Sequence, residues 1–194
     1  MIAKRLLGIA LAALAMFIWG FVYWAGIGSK LRPYKTLPTE TESAVVAELK
    51  TGAIETNVYA IPGMPESGAT KEANDAWTER SKEGPLVNIT YVKEGKDPMA
   101  PSMMIKGFLH MLVTASALTV LLIVASDRLP SYGKRVLYVG FIGLIAGFWV
   151  DVGQIVWMYN PLNNALFHFG YSFSGILIGG LVLAAFVKKP TSGP

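Results

Sequence analysis

The side chains with the most chemical potential are two histidines, one acid and the amide near it: His110, His168, Asp151 and Gln154. Each lies in a stretch that is otherwise apolar. Asp151 and Gln154 stand inside residues 143–159, GLIAGFWVDVGQIVWMY. A carboxylate at the centre of a bilayer costs about 2.5–3.5 kcal/mol on insertion scales, so it normally faces other protein or a water-filled cavity. Two imidazoles and a carboxylate have three chemical uses. They can ligate a metal as a two-histidine, one-carboxylate set, or hold a haem iron between the histidines. They can pass protons, because imidazole titrates near neutrality and a buried carboxyl can be tuned toward it. They can also hydrogen-bond across helices and fix their register. Register is the simplest of these. A metal centre would want more ligands than Gln154 or Asn163 alone could add.

Spacing places these residues on stripes of small side chains. Gly143, Gly147, Asp151, Gln154 and Met158 share one helical face. Gly107, His110, Thr114 and Ala117 share another, and His168, Ser172, Gly175 and Gly179 a third. Glycines at such spacing let helices approach closely. The expectation is an intramembrane polar cluster of His110, Asp151, Gln154, His168 and Ser172, with Asp151 within direct or one-water reach of a histidine. Helix packing is assigned to Gly143, Gly147, Gly175 and Gly179. No catalytic residue and no cofactor is expected. The alternative is a haem or transition metal on His110, His168 and Asp151.

The elements that must position this cluster follow from composition. The chain has 194 residues, 53% hydrophobic and 15% charged, with mean hydropathy +0.44. Soluble domains carry about 25% charged residues, and here the deficit is concentrated in four apolar runs. They are Leu6–Gly28, Met103–Ala125, Val136–Met158 and Ala165–Val187. Each is long enough to span hydrocarbon as a helix. The first run is longer than a signal-peptide core and ends in Trp19, Phe21, Tyr23 and Trp24, an interfacial belt, so it is read as retained.

Residues 29–102 hold 11 of the 13 acids and 9 of the 17 bases, the composition of a water-facing domain. Helices are expected from Thr39 to about Lys50 and from Thr70 to Lys82. Strands are expected at Glu55–Ile61 and Leu86–Val92. The helix between the strands allows a parallel crossover, with Tyr59 and Trp77 in the core. The predicted fold is an all-α bundle of four transmembrane helices with a small α/β domain between the first two. In domain terms it divides as 1–28, 29–102, 103–187 and 188–194.

Lys4, Arg5, Arg128, Lys134, Arg135, Lys188 and Lys189 all fall on one side of the spans, and the turn at 159–164, YNPLNN, carries no charge. The positive-inside rule then puts both termini in the cytoplasm and 29–102 outside, as in a multi-pass bacterial inner-membrane protein. With that topology His110, Asp151 and His168 lie within roughly 5–6 Å of one depth, at 1.5 Å rise per residue. There is no cysteine, which excludes disulfides and thiolate chemistry. The bases form no aromatic-interleaved run of the kind that binds nucleic acid, and no nucleotide, zinc-protease or nucleophile-elbow motif occurs. The lipid bilayer and other membrane subunits, or a second copy, are the expected partners. The functional expectation is a non-enzymatic accessory or assembly subunit. The alternatives are a proton or small-solute relay and a metal- or haem-binding oxidoreductase component.

Overall fold

Long apolar runs without interior proline satisfy every backbone group within one helix. In the computed structural model, which describes residues 2–31, 33–52 and 55–187, four helices are long and apolar enough to cross a membrane. They are α1 (Ile2–Leu31), α4 (Pro101–Val124), α5 (Tyr132–Met158) and α6 (Leu162–Phe186). Proline opens α4 at its first position, where no N–H is needed. Ser131 caps α5 by accepting from the Lys134 amide. Arg135, read from sequence as part of the basic loop, therefore lies in the first turn of α5. Lys188 and Lys189 lie outside the described residues.

The chain divides into two compact units, Met1–Lys35 with Met99–Pro194, and Thr36–Pro98. The helical unit has a core of Ala12, Ala13, Ala115, Leu118, Leu122, Val139, Leu183 and Val187. Small residues let the helices meet closely. A Cβ at Gly180 would stand 2.5 Å from Val139 Cγ1, and one at Gly179 would stand 2.6 Å from Met16 Sδ. Neighbouring positions on a helix differ by about 100°, so these two glycines open α6 to α5 and to α1 in a single turn. Gly143 and Gly147 do the same for α5, facing Ile176 and Phe169. Gly175, expected in this role, has nothing within 4 Å of an added Cβ. Among the described residues it makes no close helix contact.

Residues 36–98 carry helices α2 (Thr39–Gly52) and α3 (Lys71–Glu83) and strands β1 (Asn57–Ile61) and β2 (Val87–Tyr91). Thr70 caps α3 through the Ala73 amide. The strands pair antiparallel, Asn57 opposite Tyr91 and Ile61 opposite Val87, which corrects the parallel crossover. Parallel sheets require both faces covered, whereas an antiparallel pair tolerates water; β2 alternates between half-buried and exposed residues, and β1 is exposed except at Tyr59. Tyr59 and Trp77 are half-buried rather than in a closed core. Trp77→Ala is therefore expected to cost about 1–2 kcal/mol, below the 3–5 of a fully buried ring. Limited proteolysis of the whole chain checks this: total loss of protection in 36–98 would mean the ring is an essential core element.

Candidate functional site

Two helices leave α geometry at the same end of the bundle. In α1 the stretch Val22–Gly28 is π-helical, and in α5 so is Phe148–Val152. Such bulges insert a residue and re-aim the side chains beyond them. They explain why the regular stripe read from 143 to 158 breaks. Gly143 and Gly147 face α6, Asp151 and Gln154 line a cavity, and Met158 is exposed.

That cavity has a volume of about 750 Å³ and lies within the helical unit. Asp151 and Gln154 come to it from α5 and His168 from the second turn of α6. The turn joining these helices adds Asn160, Asn163 and Asn164, and the exit from α1 adds Tyr34 and Lys35. The turn is held by a left-handed Tyr159, φ 55°, and by the Asn160 amide donating to the Gln154 carbonyl at 3.1 Å. The Tyr159 amide donates to the same carbonyl, and the two bonds together close the C-terminus of α5. Asn164 Nδ2 donates to the Pro33 carbonyl at 3.2 Å, tying the turn to the exit of α1.

His168 is fixed from its other side. Its Nε2 is 2.9 Å from the Tyr34 hydroxyl, with donor and acceptor set by the tautomer. Trp24 stacks on Tyr34 at 6.4 Å and meets His168 edge-on at 5.5 Å. Tyr23 donates to the Phe167 carbonyl at 2.9 Å, and a Cβ at Gly170 would meet that hydroxyl at 2.5 Å. The π-helical segment of α1 thus forms an aromatic wall beside the imidazole.

Asp151 has the opposite character. Its Oδ2 is buried with no hydrogen-bond partner, and lies 3.6 Å from where a Gly147 Cβ would stand. No direct hydrogen bond joins Asp151 to either histidine among the described residues. Asp151 and His168 instead line the same cavity from different helices.

His110 does not line this cavity. It is exposed on α4, which turns Ala115, Leu118 and Leu122 to the core. Helical geometry sets His110 about 80–140° away from those residues. The two-histidine, one-carboxylate set is therefore not assembled, and no group of three His, Asp or Glu able to hold a metal occurs among the described residues. Ser172 is half-buried and outside the cavity lining. The serine hydroxyl of α6 that bridges to α1 is instead Ser174, which accepts from Trp19 Nε1 at 2.8 Å. Sequence reasoning missed Tyr34, Lys35, Asn160 and Asn164. The only signal was the asparagine-rich turn and the aromatic residue just past the first span.

The assembled groups are acceptor-rich: one carboxylate, an imidazole and four side-chain amides, with a phenol and an ammonium also present. They can bind a small polar solute, or move a proton between solute and side chain. No protein-family model, curated protein or solved structure matches the chain.

Proposed function

We propose that the chain is a multi-pass, non-enzymatic membrane protein that binds a small polar solute in the cavity of Asp151, Gln154 and His168. Four helices of spanning length and apolarity support the membrane assignment. The distribution of bases favours both termini in the cytoplasm, with residues 29–102 and the cavity on the outer side of a bacterial inner membrane. The observation that carries the solute reading is the Asp151 carboxylate, whose Oδ2 is buried without a partner among the described residues while the residue lines a cavity of about 750 Å³. A buried unsatisfied acceptor costs about 1–3 kcal/mol, so its retention calls for a ligand, a proton or ordered water.

Paired substitutions test this. If Asp151 served only to tie helices together, Asp151→Leu would strand its partner and destabilise the bundle. Because the buried Oδ2 of Asp151 has no partner among the described residues, Asp151→Leu is expected to leave thermal stability in detergent unchanged or higher. Asp151→Asn is expected to keep the fold and abolish the stabilisation that a bound solute confers in a thermal-shift screen. A marked drop in stability for Asp151→Leu, with a solute response intact in Asp151→Asn, would sink the reading.

An accessory-subunit role is a second reading, favoured by the thin core of residues 36–98. Val45 and Val46 of α2 are 40% and 42% exposed, so an apolar edge is left for a partner subunit or a second copy. Val45→Ser with Val46→Ser would then release a subunit that co-purifies in mild detergent, while leaving cavity binding unaltered.

A further inference from the structure

Resting on the solute reading, we infer that the cavity recognises a primary ammonium group, with Asp151 as its counter-ion. The groups present define the complement. Asp151, when ionised, only accepts hydrogen bonds, and among the described residues its buried Oδ2 accepts none and no ion pair joins it to Lys35 of the same cavity. An N–H donor carrying positive charge forms the strongest bond to such an acceptor. An ammonium has three N–H donors. One goes to the carboxylate, which leaves two for neutral oxygens, and the carboxamides of Gln154, Asn160 and Asn163 line the same space.

Competing ligand classes fit less well. A metal ion would want several charged or imidazole donors together, and the described residues supply no such group of three. A quaternary ammonium, which has no N–H, is held by a cage of aromatic faces. Here Tyr34 and the His168 imidazole are the aromatic rings among the described lining residues, too few for a cage, and the stacked Trp24 occupies one face of Tyr34. A carboxylate or phosphate without an amine would meet the unneutralised Asp151. Lys35 offers a cation for an acidic group on the same solute, so an amine that also carries an acid uses more of the site than an amine alone. The cavity volume of about 750 Å³ accommodates a solute well beyond the ammonium itself.

The same chemistry reaches the site from two sources, a free amine in solution or the headgroup of an aminophospholipid. The experiment uses the full chain, purified in detergent and in nanodiscs. Saturation-transfer NMR is recorded with ethanolamine, with choline and with ethylene glycol. These share a hydroxyethyl frame and differ in whether the second carbon carries a primary ammonium, a quaternary ammonium or another hydroxyl. Ethanolamine alone is expected to give a saturable signal, weakened at least about tenfold in Asp151→Asn, the loss of one charge-assisted hydrogen bond. If phosphatidylethanolamine nanodiscs suppress the signal and phosphatidylcholine nanodiscs do not, the source is lipid; if neither suppresses it, the source is a free amine. Equal binding of choline and ethanolamine would overturn the proposal, and needs no variant. So would an Asp151→Asn chain that binds ethanolamine as tightly as the parent. Binding of ethylene glycol alone would overturn the ammonium assignment and leave the solute reading standing, and binding of none of the three would remove both.

Discussion

Replacing Arg135 by methionine is expected to destabilise the bundle by at least about 1–3 kcal/mol, the cost of leaving the buried Ala184 carbonyl without a donor. Arg135 is only 5% exposed. Its Nε donates to the Ala184 carbonyl at 2.9 Å, and Nη1 donates to the Leu129 and Pro130 carbonyls at 3.1 and 3.2 Å. Ala184 lies in the last turn of α6, where carbonyls have no intrahelical partner and the helix dipole favours a cation. One guanidinium therefore caps α6 and holds the approach to α5. Lysine has no planar fork and should recover only part of the loss. Tyr132 donates to the Leu181 carbonyl at 3.0 Å from the same end, but it is exposed. Tyr132→Phe should cost about 1 kcal/mol or less. Unfolding in graded denaturing detergent measures all three. Equal losses for Arg135→Met and Tyr132→Phe would show that burial of the arginine carries no special weight.

Gly180→Ala is expected to destabilise by about 1–3 kcal/mol, and Gly180→Leu by more, through overpacking. The added Cβ would stand 2.5 Å from Val139 Cγ1 and 2.8 Å from its Cβ. Val139 is fully buried, so it has nowhere to retreat, and α5 must separate from α6. Shortening the obstacle with Val139→Ala should recover most of the loss in the Gly180→Ala background. Gly175→Ala is the control and should be neutral or slightly favourable, because that position is open and alanine is the better helix former. A Gly180→Ala chain as stable as the parent would mean that the α5–α6 seam tolerates separation.

Four long apolar helices were legible from hydropathy and length, because a backbone in hydrocarbon must satisfy its own hydrogen bonds. The two helices and two strands of 36–98 were equally legible, since each rests on a local period or cap. Strand direction was not. It depends on what covers the sheet faces, which no window of residues contains. The candidate site shows the same division. Asp151 stood out because an acid in an apolar run is costly wherever it points. His168 and Gln154 were found through spacing. His110 was grouped with them on depth alone, and depth does not say which way a helix is turned about its axis. Rotation is set by packing, here by Ala115, Leu118 and Leu122.

Sequence alone thus determined the composition of the spans, the exceptional carboxylate and the asparagine-rich turn. Tertiary structure decided which helix faces meet. It put Gly180 rather than Gly175 in the α5–α6 seam, drew Arg135 from a basic loop into a buried cap, and gathered Tyr34 and His168 into a cavity with Asp151. The physical reason lies in the π-helical segments and the close packing of small residues. A single inserted residue turns every side chain beyond it by about 100°, and a contact shorter than a methyl group selects one partner over another. Neither effect has a signature in local periodicity, because both depend on the shape of the neighbouring helix.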